Sequence, residues 1–246
     1  MAGHSHSANI ARRKNAVDAK RGKLFSKLAR AIISAARQGG GDPDKNLKLK
    51  YAIEKAKAGN MPKDNIERAI KAVSGAKDGD DFEELNYEGY APCGVAVLVS
   101  ALTDNRNRTA PEVKYTFEHH GGNMGATGSV SFMFDFKSIF VLETAGKSED
   151  EMMEIAIEAG AEDVQVESEF ATIIAEATEF LSVKAALEAA GLVLMSAETG
   201  YLPQNTIKLE TEADARKVLK LIDALEESDD VQSVYSNYEL PDGFEL

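Results

Sequence analysis

The spacing of apolar residues in the first third of the chain follows the helical period. With Val17 as origin and 100° per residue, Leu24, Leu28, Ala31, Ile32 and Ala35 fall within about 60° of one direction, which predicts one amphipathic helix over residues 15–38. Gly39-Gly40-Gly41-Asp42-Pro43 stops it. A second helix is predicted over 46–58, with Leu49, Ile53 and Ala56 on one face and Gly59-Asn60 suited to a left-handed cap. A third starts near Pro62 and runs through Ile66, Ala69, Ile70 and Val73 to Gly75.

From Phe82 the period changes. Glu83 to Gly89 and Val95 to Thr103 read as strands, the second a buried apolar run. Thr109-Ala110-Pro111-Glu112 has the spacing of a capping box and predicts the start of a helix that closes at Gly121-Gly122. Further on come strand Ile139–Glu143, helix Glu149–Ala159, strands Val164–Glu167 and Ala171–Ala175, a helix over 180–190 and strand Leu192–Ala197. That βαββαβ order is the ferredoxin-like signature. After Pro203, strand Thr206–Leu209, a helix over 212–227 and strand Val231–Ser236 are expected to return to the earlier sheet. The predicted fold class is α+β in three domains: a helical bundle at 1–77, a discontinuous α+β domain at 78–134 plus 201–246, and a ferredoxin-like domain at 135–200.

Charge changes the picture. The net −13 hides two opposed parts. Residues 1–77 hold 18 Lys and Arg against 6 Asp and Glu, so of the 28 basic and 41 acidic residues in the chain the remainder holds 10 against 35. The first third is therefore an electrostatic footprint for a polyanion, and the acidic remainder discourages adhesion elsewhere. Apolar runs such as Val95–Val99 are far shorter than the roughly 20 residues that cross a bilayer, so no membrane contact is expected. The opening Met-Ala-Gly-His-Ser-His-Ser has no apolar core, which makes a cytoplasmic location the expectation. The single cysteine, Cys93, has no partner for an internal disulfide and reads as structural.

The candidate binding residues sit on and before the first helix. Lys20, Lys23, Lys27, Arg30 and Arg37 flank its apolar stripe, with Arg21 beside them, as a ridge about 25 Å long at 1.5 Å per residue. Arg12-Arg13-Lys14 form a basic arm just upstream. Cations at this spacing neutralise successive phosphates and release counterions, which gives grip without sequence reading. Asn105-Arg106-Asn107-Arg108, between a buried strand and a helix, form a second candidate anion site, since helix amino termini attract anions. The competing reading is an ordinary turn whose arginines pair with local acids. His119-His120 at a helix end and His4 and His6 in the tail lack ligand spacing, so no metal or other cofactor is expected. Glu149-Asp150-Glu151 and Asp229-Asp230 are explained by a helix amino terminus and a turn, and no phosphate-loop, nucleophile-elbow or HExxH motif occurs. No catalytic residue is assigned.

Several stretches together resemble one family. They are Met1-Ala-Gly-His-Ser, Asp18-Ala-Lys-Arg-Gly-Lys, Gly39-Gly-Gly-Asp-Pro, Asn60-Met-Pro-Lys-Asp, Tyr87-Glu-Gly-Tyr, Thr103-Asp-Asn-Arg-Asn-Arg-Thr, Gly121-Gly-Asn-Met-Gly and Asp230-Val-Gln-Ser-Val-Tyr-Ser-Asn. They run from end to end of the chain and resemble the YebC family, also called PmpR, which has a mitochondrial relative that activates translation of cytochrome c oxidase subunit I. The resemblance implies three domains with a discontinuous middle one, no enzyme activity, and either DNA-binding transcriptional regulation or a ribosome-associated role in making proline-rich stretches. The chain departs from the family pattern at His6-Ser7, where Lys-Trp is usual, which removes a cation and a stacking aromatic from the tail. It also carries Ala91-Pro92-Cys93-Gly94 where Gly-Pro-Gly-Gly is common.

The leading expectation is a non-enzymatic, DNA-binding transcriptional regulator. The runner-up is a translation factor whose basic bundle docks on ribosomal RNA, since shape and backbone recognition suit a ridge with few base-reading side chains. A third reading is a protein-interaction module whose acidic part binds a basic partner.

Overall fold

The computed structural model describes residues 21–73, 82–167, 169–241 and 243–244, with the backbone alone at Glu167. The described chain is α+β and forms two compact units, one at Phe134–Leu202 and the other from residues 21–133 and 203–244.

The larger unit begins with three helices, α1 (Arg21–Gly39), α2 (Leu47–Ala58) and α3 (Lys63–Lys71). Their apolar stripes meet in a core of Leu28, Ile32, Ala35, Leu49, Ala56, Ile66 and Ala69. Asn46 ties the first turn together: its side chain caps α2 through Leu49 N–H and donates at 2.8 Å to the carbonyls of Ala35 and Gly40. Asn60, at φ 57°, takes the left-handed position after α2 that its short amide side chain tolerates. The third helix stops at Lys71, one turn short of the expected Gly75, and Ala72 and Val73 already form a turn.

The sheet of this unit runs β3-β1-β2-β9, where β1 is Glu83–Tyr90, β2 Ala96–Thr103, β3 Asn123–Met124 and β9 Val231–Ser236. β2 pairs antiparallel with β1 on one side and β9 on the other, so the carboxy-terminal segment does return to this sheet. One face carries Val95, Val97 and Val99 against α4 (Arg106–His119) and α7 (Glu212–Glu226), in a core with Val113, Phe117, Val218, Leu221 and Leu225. Gly89 permits this packing, because a Cβ there would lie 2.8 Å from the Phe117 ring and 2.5 Å from the Asn123 carbonyl.

Strand alternation sends Ala96, Leu98 and Leu102 to the opposite face, where they are also buried. Glu84 stands opposite Leu102 and Ser233 opposite Ser100, so both share that face. Lys48 reaches Glu84 at 2.6 Å and Lys55 reaches Ser233 at 3.2 Å. The helical bundle therefore covers the face of the sheet that α4 and α7 leave open.

One expectation fails in this unit. Thr109 does not cap α4. The helix begins three residues earlier, at Arg106, and Asn105 is its cap, accepting from Arg108 N–H at 3.2 Å. Thr109 is instead fully buried inside the first turn, with its hydroxyl directed at other side chains. The spacing of Thr109 and Glu112 matches a capping box, but the acceptor for the first free N–H groups is Asn105, one turn upstream.

The smaller unit has β4 (Phe134–Glu143), α5 (Glu149–Glu158), β5 (Asp163–Glu167), β6 (Phe170–Glu176), α6 (Phe180–Ala189) and β7 (Leu194–Pro203). The strand order β5-β6-β4-β7 is that of the ferredoxin-like fold. Phe140 stacks on Phe180 with ring centres 5.4 Å apart, and Leu142, Met152, Ile173 and Leu187 are buried with them. Ser148 and Glu151 form the capping box that opens α5. β7 starts two residues later than expected and runs six residues further. A two-stranded parallel ladder of β8 (Ile207–Lys208) and β10 (Tyr238–Glu239) completes the larger unit.

Candidate nucleic-acid interface

Lys23, Lys27 and Arg30 lie at i, i+4 and i+7 on α1 and therefore form one stripe beside its apolar face. The stripe rests against the end of α7 and the acidic turn that follows it. Lys23 Nζ is 3.0 Å from Glu227 and 3.9 Å from Asp229. Lys27 Nζ donates at 2.7 Å to the carbonyl of Glu226, one of the terminal carbonyls that α7 itself leaves unpaired. A cation at this place also complements the negative end of the helix dipole. Arg30 donates at 3.0 Å to both the Asp229 carbonyl and the Asp230 carboxylate.

Burial lowers the pKa of Lys27 to about 8, against the pull of Glu226 and its acidic neighbours. At neutral pH the ammonium is still mostly protonated, but its desolvation works against the contact it makes.

Asp230 is the centre of this region. One carboxylate oxygen takes Arg30, and the other is 2.8 Å from Arg108 Nη2, 2.7 Å from the Thr109 hydroxyl and 3.2 Å from the Thr103 hydroxyl. Its backbone carbonyl accepts from Leu102 N–H at 2.7 Å. Burial acts to raise its pKa, but Arg108, Thr109 and Thr103 outweigh that and hold the carboxyl below the usual aspartate range. Asp230 thus joins α1, the end of β2 and the first turn of α4. Between these elements lies a cleft of about 380 Å³ lined by Arg30, Asp104, Arg108, Glu112 and the turn Glu227–Asp230.

The structure separates the predicted binding residues. Arg12, Arg13, Lys14 and Lys20 lie outside the described residues. Arg21 is exposed, Arg37 is half-buried, and Lys23, Lys27 and Arg30 face the acidic turn. In the second candidate site, Asn105 is the helix cap, Arg106 pairs with Glu83 at 3.4 Å, Asn107 is exposed, and Arg108 bridges Asp104 and Asp230 at 2.8 Å each. Residues 21–73 carry thirteen Lys and Arg against five Asp and Glu. At least five of those cations, Lys23, Lys27, Arg30, Lys48 and Lys55, bond to the sheet or to the segment at 226–230.

What the bundle still offers outward lies elsewhere. Lys45, Lys63 and Lys71 have side chains 83%, 87% and 78% exposed, and Arg21 and Arg68 are exposed with them. Lys63 and Lys71 share Glu67 at 3.9 and 3.8 Å, which leaves α3 with more cations than acids on its outer face. The sequence signal that would have found the docked stripe is the charge opposition between chain halves, but a separation of about 200 residues gives no register for it.

Other candidates supply little chemistry. No cluster of three His, Cys, Asp or Glu able to hold a metal occurs among the described residues. The Cys93 thiol is pushed up by partial desolvation and then by Asp214, so it is held in its less nucleophilic form. His119 stacks on Tyr115 with ring centres 5.3 Å apart, and His120 bonds to the Thr116 carbonyl at 2.9 Å. Among the described residues no helix is long and apolar enough to cross a membrane.

Comparison with known proteins agrees with this architecture. Residues 5–76 match the TACO1/YebC protein N-terminal domain and residues 82–238 the TACO1/YebC second and third domain. A protein of Rubrobacter xylanophilus named "probable transcriptional regulatory protein" is 50% identical over 241 residues, covering 98% of this chain and 96% of its own. One of Thermoanaerobacter pseudethanolicus, similarly named, is 52% identical over 243 residues, covering 98% of each. A crystal structure of a conserved hypothetical protein from Aquifex aeolicus superposes with a TM-score of 0.81 at 51% identity, covering 92% of this chain and 93% of that one. Matches of this length over residues 5–76 and 82–238 and a shared fold show that the chain belongs to the TACO1/YebC family.

Proposed function

We propose that this protein is a non-enzymatic, nucleic-acid-binding regulator of gene expression that acts in the cytoplasm on DNA as a transcriptional regulator. The observation that carries the reading is the charge of the amino-terminal third. Residues 1–77 hold 18 Lys and Arg against 6 Asp and Glu, and after the contacts with the sheet the bundle still exposes Arg21, Lys45, Lys63, Arg68 and Lys71. Arg12, Arg13, Lys14 and Lys20, outside the described residues, add four cations to the sequence of this third. Cations spread over exposed helix faces neutralise phosphates and bind in a salt-dependent way. The names of the relatives, probable transcriptional regulatory proteins, support the regulatory role. In this reading residues 1–77 grip the nucleic acid, 78–134 plus 201–246 form the platform that carries them, and the acidic 135–200 faces other components. Arg106 and Asn107 of the second candidate site remain exposed and offer a subsidiary phosphate contact.

A second reading, contact with ribosomal RNA as a translation factor, is favoured by one observation. The stripe of α1 is turned onto the acidic turn, so α1 is not presented as a free recognition helix for a major groove. A surface of lysines and arginines with few base-reading amides suits shape and backbone recognition. Competition binding at moderate salt tests the first reading: a regulator prefers its promoter fragment over random duplex of equal length. Equal binding to both, together with cosedimentation with ribosomes, transfers the proposal to RNA.

A further inference from the structure

The acidic turn after α7 places carboxylates against α1 where a phosphate backbone would bind. Lys23, Lys27 and Arg30 advance along α1 by four and then three residues, about 6 and 4.5 Å of rise, a spacing that suits successive phosphates. Their partners here are the Glu227 carboxylate, the Glu226 carbonyl, the Asp229 carbonyl and the Asp230 carboxylate, all oxygen acceptors. We propose that the turn Glu227–Asp230 is a built-in competitor for nucleic acid on the α1 stripe, and that a bound polyanion displaces Glu227 and Asp229 from it. This inference rests on the proposed function and adds its regulation.

The two ends of the contact differ in how readily they exchange. Lys23 and Arg30 side chains are 32% and 33% exposed, and Glu227 and Asp229 are 49% and 67% exposed. Ion pairs of this kind are individually weak, about 0–1 kcal/mol, and are screened by salt. A rotation of Lys23 toward solvent frees it without disturbing the Arg30–Asp230 pair. Lys27 is more deeply placed and bonds a helix-terminal carbonyl, and Asp230 is only 4% exposed and holds Arg108, Thr103 and Thr109 as well. These two form the fixed part of the contact. The exchangeable part is Lys23 with the Glu227 and Asp229 carboxylates, while Arg30 stays with the Asp229 carbonyl and the Asp230 carboxylate. The same carboxylates line the cleft with Asp104, Glu112 and Asp230, so a polyanion meets repulsion there until they are displaced.

The experiment uses the full chain carrying Glu227→Gln and Asp229→Asn together, both at exposed positions where the fold is retained. Binding to single-stranded RNA and to duplex DNA of equal length is measured by fluorescence anisotropy across a salt series. Removing negative charge anywhere favours a polyanion, so Glu154→Gln with Glu158→Gln, two exposed carboxylates on α5, is the control. The expected result is affinity on the order of tenfold tighter than the control for at least one nucleic acid, with a slope of log affinity against log salt about 0.7–0.9 steeper, as the Lys23 cation reaches a phosphate. Adding Lys23→Gln to the double variant should remove most of that gain. If the double variant matches the control, or binds more weakly than wild type, the competitor role is wrong while the proposed function stands. If wild type and all variants fail to bind either nucleic acid at low salt, the proposed function falls and the inference with it.

Discussion

Arg30 and Asp230 are 200 residues apart in sequence and meet at 3.0 Å, joining the first described helix to the loop between α7 and β9. Arg108 reaches the other oxygen of the same carboxylate at 2.8 Å, so a single aspartate links three segments of the larger unit. Two of the stretches that carry the family resemblance, Thr103–Thr109 and the one beginning at Asp230, are partners in this one cluster.

Replacing Asp230 by Ala should therefore destabilise the larger unit by about 2–4 kcal/mol, because Arg30, Arg108 and the buried Thr103 and Thr109 hydroxyls lose the carboxylate they share. Urea denaturation followed by circular dichroism reads the change. A loss smaller than about 0.5 kcal/mol, the range of ordinary surface substitutions, would show that the cluster is not a structural joint.

The cap of α4 gives a sharper contrast. Asn105→Ala should cost about 0.5–2 kcal/mol, since the side chain that receives Arg108 N–H is removed. Glu112→Ala should be close to neutral, because Glu112 is exposed and is not part of a cap. The reverse order of effects would restore the capping box at Thr109.

Glu88 and Asp230 predict sensitivity to acid. Burial acts to raise the Glu88 pKa, but backbone N–H groups of Gly128, Val130 and Ser131, each at 2.7 Å, bring it below the ordinary glutamate range. A carboxyl with a lowered folded-state pKa contributes stability that is present above its unfolded pKa and lost as pH falls through the folded one. The urea midpoint should hold from pH 7 to about 5 and drop once the pH passes below the ordinary values of 4.5 for Glu88 and 3.8 for Asp230. Glu88→Gln should be less stable at pH 7 and show a smaller further loss in acid; a loss of equal size would remove Glu88 from the explanation.

Lys27 has the opposite consequence at high pH. Its folded pKa of about 8 lies below the ordinary 10.5, so between those values the unfolded chain binds more protons than the folded one. Stability from this group therefore rises with pH across that window. The stability of wild type relative to Lys27→Met should increase from pH 8 to 10.5. A difference that stays flat means the ammonium is not desolvated against α7.

Most of the fold was legible in the sequence because its signals are local. Leu24, Leu28, Ile32 and Ala35 set the first helix, and the βαββαβ order of residues 138–197 gave the ferredoxin-like unit. Thr109 and Glu112 carry a capping-box spacing that hides the cap at Asn105, and only the tertiary position of Asp230 shows where the Thr109 hydroxyl goes. The ridge on α1 was legible as a stripe of cations, but its direction was not. Helical phase fixes Lys23, Lys27 and Arg30 relative to the apolar face, whereas the identity of what they meet depends on a turn about 200 residues away.

In the proposed function the exposed cations of the bundle grip nucleic acid. Fluorescence anisotropy of the full chain with duplex DNA and with RNA across a salt series, comparing wild type with Lys63→Gln, Arg68→Gln and Lys71→Gln combined, tests it most directly. The expected result is log affinity falling linearly with log salt for wild type, and a triple variant that binds at least about tenfold more weakly with a shallower slope. Wild-type and triple-variant binding curves that coincide, or affinity that does not respond to salt, would contradict it.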